Sequence, residues 1–188
     1  MKLNLIKRTG ATKGDTNRIR REGDIPAVLY GKGHENQLAA VKGMEFHQIL
    51  RTLPKGRLAT STFEISLDGV SHKAIVKNIS YHPTTYRIEH LDFLILADDR
   101  PVMVNVPIEV VGVGDCPGIK LGGTLRQVAR TLAVSCLPRD IPAFIEADVR
   151  ELGLEAGKRL SDLPLPANVR PLARMNELAV VIAKAKKA

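Results

Sequence analysis

Phe63, Ile65 and Leu67 alternate with polar neighbours, Asp68-Gly69 follows, and Val70 to Ile79 returns as a second extended run. A period of two gives each run one apolar face. A two-residue Asp-Gly link favours the tight turn whose twist matches paired strands. The rest of the chain repeats this grammar of short strands. Leu3 and Leu5 alternate, and Ala27-Val28-Leu29-Tyr30 is a short apolar strand. Ile88 to Leu96 places Ile88, His90 and Asp92 on one face and Leu91, Phe93 and Ile95 on the other.

Two helices interrupt the first half. Asp15 or Thr16 is expected to cap a short one that Gly23 ends. Ile19 would face inward there, with Asn17, Arg18 and Arg21 sharing the outer face. The second spans about Met44 to Leu53, where Phe46, Ile49, Leu50 and Leu53 fall at helical spacing. A polar stop at Ala97-Asp98-Asp99-Arg100-Pro101 then separates two strand-rich regions. Beyond it lie Val102 to Val111, a Gly-rich connection at 112–115, Gly118, Gly122-Gly123, Val128 to Leu137, a loop marked by Pro164 and Pro166, and Leu178 to Ile182. The pattern predicts a mainly β protein of two β-rich domains, 1–96 and 97–188, the first carrying the helices.

At 188 residues with 44% apolar content the chain has material for two cores. The start MKLNLIKRTG has no apolar segment of the secretory kind, and no run approaches a membrane span. Cys116 and Cys136 are isolated and lack metal-type spacing, so two reduced, buried thiols in a cytoplasmic protein are expected.

The charge of +8 is unevenly placed. Residues 1–94 hold 15 Lys and Arg against 9 Asp and Glu, a net of +6, and residues 95–188 hold 13 against 11, a net of +2. Lys7, Arg8, Lys13, Arg18, Arg20 and Arg21 face a single acid, Asp15, within fifteen residues. Clustered cations release counterions from a phosphate backbone and bind it without regard to sequence. A solvated basic face that aids solubility is the plainer reading of the same charges. Seven aromatics and no Trp make a poor platform for stacking single strands. A stiff β-surface edged with Arg and Lys suits the wide, shallow minor groove of folded duplex RNA.

Catalytic and metal motifs are thin. His82, His90 and Asp92 invite a metal-enzyme reading, but the spacing fits no zinc pattern. Gly112-Val113-Gly114 and Gly122-Gly123 match no phosphate-loop motif and read as hairpin turns needing positive φ. No GxSxG or HExxH occurs.

GDIPAVLYGKG at 23–33, VKNISYHP at 76–83 and IEHLDF at 88–93, in this order, resemble the three blocks of the bacterial large-subunit ribosomal protein twenty-five family. CPGIKLGGTL at 116–125 and VSCLPRDIPAFIEADVREL at 134–152 resemble the second domain of its long form, the general stress protein CTC type. The resemblance implies an N-terminal β-barrel with short helices that binds 5S ribosomal RNA at loop E, and a C-terminal β-rich domain. It implies no catalysis, no cofactor and no metal. It implies neighbouring large-subunit proteins and rRNA as further partners, no membrane, a monomer outside the ribosome, and a cytoplasmic, ribosome-associated location. Carried over by position, the RNA-contacting set is Arg8, Lys13, Thr16, Asn17, Arg18, Arg20, Arg21, Tyr30, Lys77, Tyr81, His82, His90 and Asp92. Tyr81 and Asn17 stand where some members carry Arg. Arg8, Lys13, Arg18 and Arg21 would neutralise phosphates, and His90 and Asp92, held on a strand, would make selective contacts. His82 has a second reading, as an internal brace. Weak RNA contacts from Lys184, Lys186 and Lys187 are a further expectation. A rival from another class is a stress-linked interaction protein that works through its second domain.

Overall fold

The structure, a computed structural model, describes residues 1–8, 10 and 12–184. Lys186 and Lys187 of the tail lie outside the described residues. The chain divides into two compact units, Met1–Arg100 and Pro101 onward.

The first unit contains β1 (Lys2–Lys7), α1 (Lys13–Glu22), β2 (Ile25–Gly31), β3 (His34–Val41), α2 (Gly43–Thr52), β4 (Thr62–Leu67), β5 (Val70–Tyr81) and β6 (Ile88–Ile95), with a 3-10 turn at Arg57–Thr60. Its six strands close into a barrel in the order β1-β3-β2-β6-β5-β4. The β1–β4 and β2–β6 pairs are parallel and the others antiparallel. Closure removes the sheet edges that would otherwise pair with another chain. Leu3, Leu29, Ile65 and Leu91 point inward with Phe63 and Phe93, whose rings meet edge-on with centroids 6.4 Å apart. Phe46, fully buried, brings α2 onto this core.

The Asp68-Gly69 link forms as expected, with φ of 50° and 82° at its two residues. These are the left-handed values a type I′ turn requires. Gly23 ends α1 at φ 89°, where its own N–H and that of Asp24 donate back to Arg20 and Ile19 carbonyls. The N-cap is Thr12 rather than Asp15 or Thr16. Its Oγ1 accepts from the Asp15 amide at 3.3 Å and donates to the Asp15 carboxylate at 2.6 Å. Asp15 sits instead in the first turn, where a negative charge offsets the helix dipole. Ile19 is only half-buried and α1 buries no residue fully, so the helix rides on the outside of the barrel. Ile88 does not share the outward face of His90 and Asp92 but packs partly buried against the core.

The second unit contains β7 (Val102–Val111), α3 (Pro117–Lys120), β8 (Gly123–Gln127), β9 (Thr131–Cys136), β10 (Ile145–Asp148), β11 (Gly157–Arg159), β12 (Arg170–Pro171) and β13 (Leu178–Lys184). A four-stranded sheet, β10-β7-β9-β12, and a three-stranded one, β11-β13-β8, share one core that includes Val106, Leu132, Ile145, Leu160 and Ile182. The run from Val128 is not all strand. Val128 and Ala129 donate to the Ala179 carbonyl while the chain crosses between sheets, and β9 begins only at Thr131. Cys116 and Cys136 are free, buried thiols. Burial, reinforced by the Asp140 charge, pushes the Cys136 thiol up. The Cys116 Sγ lies 3.2 Å from the Leu152 carbonyl and donates to it.

The glycines of 112–123 do not turn hairpins. Gly112 and Gly122 take φ of 81° and 86°, but they flank a short helical crossover that carries the chain from one sheet to the other. Gly118 and Gly123 are there for contact. A Cβ on Gly118 would lie 2.6 Å from the Gly153 carbonyl oxygen, and one on Gly123 would lie 2.6 Å from the Gly118 carbonyl oxygen. Both obstacles are backbone, which cannot swing aside. Gly118→Ala should therefore destabilise the second unit by about 1–3 kcal/mol, the usual cost of overpacking. Thermal unfolding followed by circular dichroism checks this, and an unchanged transition would mean that the crossover is loosely packed.

Candidate RNA-binding surface

β5 carries one residue more than the alternation allows. Val76 pairs with Phe93 and Asn78 with Asp92, so Lys77 occupies a bulge. Ala74 and Val76 point inward, and an unbroken strand would turn 78 and 80 inward too. The extra residue restores the match: Ile79 packs against the core beside Leu91, while Asn78 and Ser80 face out opposite Asp92 and His90. A second register shift, between Ser80 and Tyr81, puts the extra residue on the partner strand at Glu89, and Tyr81 at the end of β5 is exposed.

His90 and Asp92 leave the same face of β6, and His90 Nδ1 lies 2.8 Å from Asp92 Oδ1. The carboxylate orients the ring and leaves Nε2 for an outside partner. On the neighbouring strand Tyr30 joins them. Partial burial pushes its phenol above the ordinary value, and the Asp92 charge pushes it the same way. Its hydroxyl is thus a neutral donor at physiological pH. The outer wall of β2, β6 and β5 carries Tyr30, His90, Asp92, Asn78 and Ser80, with Lys77 at the bulge.

The cations of α1 reach this wall through Arg20. Its Nε and one terminal nitrogen donate to the Glu89 carbonyl at 3.2 and 3.1 Å, and the other terminal nitrogen donates to Asn17 Oδ1 at 3.4 Å. Arg20 therefore fixes the helix beside His90. Arg8 works similarly at the other end, donating to Thr16 Oγ1 at 3.2 Å, while its buried Nε has no partner among the described residues. Lys13, Arg18 and Arg21 are exposed, and Arg18 holds only a loose 3.8 Å pair with Glu22. An exposed pair of that kind contributes about 0–1 kcal/mol and yields easily to a phosphate. Two concavities flank α1. One is lined by Lys7, Arg8, Asp15 and Arg18, the other by Arg20, His82, Arg87 and Glu89.

His82 stands apart from His90 and Asp92. Its Nδ1 accepts from the Thr84 and Thr85 amides at 3.3 and 3.2 Å, and its backbone amide donates to the Arg87 carbonyl at 2.8 Å. The ring braces the β5–β6 turn and contributes its other edge to the second concavity. His82, His90 and Asp92 form no common ligand cage, and no cluster of three His, Cys, Asp or Glu that would suit a metal occurs among the described residues.

Asn78, Ser80 and Arg87 join the surface without having been singled out from the sequence. The first two sit inside the block VKNISYHP, where polar residues flank Ile79. That alternation was the available signal. Arg20→Ala should loosen α1 from the barrel by about 1 kcal/mol, the net worth of an ordinary hydrogen bond. Hydrogen exchange of α1 amides should accelerate about fivefold while β6 stays protected. Equal rates in both proteins would remove the bracing role.

Comparison with known proteins matches residues 3–93 to the Ribosomal L25p family and residues 101–186 to the C-terminal domain of ribosomal protein TL5. Relatives called large ribosomal subunit protein bL25 align along 184 residues, 98% of this chain and 100% of theirs. They are 44% identical in Chlamydia trachomatis serovar L2, 42% in Chlamydia muridarum and 40% in Chlamydia pneumoniae.

Proposed function

The chain belongs to the bL25 family of large-subunit ribosomal proteins, in its two-domain form, and from that premise we propose that its first unit binds 5S ribosomal RNA at the irregular duplex of loop E. As a member of this family it is a structural constituent of the large ribosomal subunit, ribosome-associated in the cytoplasm, and not an enzyme. Among the described residues no helix is long and apolar enough to cross a membrane.

The observation that carries the RNA reading is the His90–Asp92 pair, held 2.8 Å apart on a barrel strand beside a helix rich in exposed cations. Lys13, Arg18 and Arg21 supply phosphate contacts, which give affinity and register without sequence information. Tyr30, His90, Asp92, Asn78 and Ser80 supply hydrogen-bonding groups that reach sugar hydroxyls and base edges across a wide minor groove. Lys77, at the bulge of β5, and Tyr81, at the end of that strand, border this wall. Arg8, Thr16, Asn17 and Arg20 hold the helix in place and meet the RNA with whatever donors remain. His82 shapes the turn at the edge. The protein acts as a monomer outside the ribosome, and sedimentation of the free chain would give the monomer mass.

Gel shifts with residues 1–100 and 101–188 separately test the assignment to the first unit. The first fragment should bind 5S ribosomal RNA with nearly the affinity of the whole chain. Binding by the second fragment alone would defeat the reading.

Asp92→Ala separates selective from electrostatic binding. Removal of an acid from a basic surface should strengthen non-specific binding slightly. Loss of a hydrogen bond to a charged group, worth about 1.5–3 kcal/mol, should weaken specific binding roughly tenfold to a hundredfold. The expected result is a fall in the ratio of specific to non-specific affinity, with circular dichroism unchanged. A constant ratio would make Asp92 a solvated strand residue.

A further inference from the structure

A groove of about 440 Å³ runs between the end of α2, the Pro54–Ala59 segment and β5. Leu53, Leu58 and Ile79 give it aliphatic walls, and the exposed Tyr81 ring stands at its rim. Among the described residues Lys55 and Lys77 are its charged lining residues, and Asn78 contributes an amide. This is an odd surface for a solvated barrel. Apolar walls, two cations, no acid and one donor–acceptor amide match the parts of a nucleotide: flat apolar faces, a polar edge and an anionic phosphate. Lys77, Asn78 and Tyr81 belong both to this groove and to the margin of the β2–β6–β5 wall, so RNA lying on the wall reaches the groove directly.

We infer that the groove takes one unpaired nucleotide of the bound RNA, its base against the aliphatic walls and Tyr81, its phosphate between Lys55 and Lys77. This rests on the RNA-binding reading of the first unit and extends it to a site beyond the minor-groove contacts. A base stacked within a duplex cannot enter, so the groove selects RNA that carries a splayed base next to the helical segment. Proteins read single-stranded bases in this way, by stacking and by edge contacts. The positive lining favours an anionic ligand, and the apolar walls beside it suit the flat face of a base.

The test uses the full chain and 5S ribosomal RNA transcribed with 4-thiouridine in one sample and 6-thioguanosine in another. The bound complexes are crosslinked by long-wavelength light and the modified peptides are mapped. At least one analogue should label residues 50–59. Labelling confined to peptides bearing Tyr30 or His90 would overturn the groove while leaving the wall intact. A chain that fails to bind the RNA at all would overturn both. Ala59→Leu, a partly buried lining position, fills the groove without changing charge. It should weaken binding about tenfold, the scale of one lost base stack, with the thermal transition unchanged. Lys55→Ala should weaken it less and reduce its salt dependence. Wild-type affinity in both variants would contradict the inference.

Discussion

The bulge at Lys77 decides what this protein can present to a partner. A strand has two faces, and a slip of one residue exchanges them completely. β5 turns Ala74 and Val76 into the barrel, and it must also bury Ile79 beside Leu91. Those requirements differ in parity, and only an inserted residue reconciles them. Once it is inserted, Asn78 and Ser80 are forced outward against Asp92 and His90. The polar wall is thus a consequence of core packing, and the core holds it stiff. The same irregularity bounds the groove beside α2, since Lys77 and Asn78 line both features.

Around that wall the charges divide into two sorts. Arg8 and Arg20 spend hydrogen bonds on Thr16, Asn17 and the Glu89 carbonyl, and so keep α1 in register with β6. Lys13, Arg18 and Arg21 are left exposed on a helix that buries none of its residues. A helix secured by caps and two arginines, rather than by a core face, can devote its outer surface to a ligand. This explains why so short a helix holds so many cations.

The barrel strands were legible where the period of two is clean, at Phe63–Leu67, at Val70 onward and at Leu91–Phe93, and the Asp68-Gly69 turn was read correctly. β3 was missed because HENQ opens it with four polar residues and Ala39, Ala40 and Val41 then bury a run without alternation. The bulge was invisible, since an extra residue in a strand looks like any other until its partner is known. Thr12 was passed over as a cap because Asp15 and Thr16 are equally good capping types, and only the backbone decides among them. In the second unit, the glycines read as hairpin turns serve a crossover whose close backbone contacts leave no trace in spacing. Of the candidate contacts, Tyr30, His90 and Asp92 do converge on one wall. His82 turned toward its own loop, because two backbone amides there needed an acceptor.

The most direct measurement is an amide chemical-shift map of the full chain titrated with a loop E duplex from 5S ribosomal RNA. The predicted perturbations cluster on Tyr30, Asn78, Ser80, His90, Asp92 and the exposed residues of α1. The opposite wall, including Asn4, Glu64 and Ser66 where β1 pairs with β4, should remain unperturbed. Perturbations gathered on that opposite wall, or confined to residues beyond 100, would contradict an RNA surface built on β2, β6 and β5.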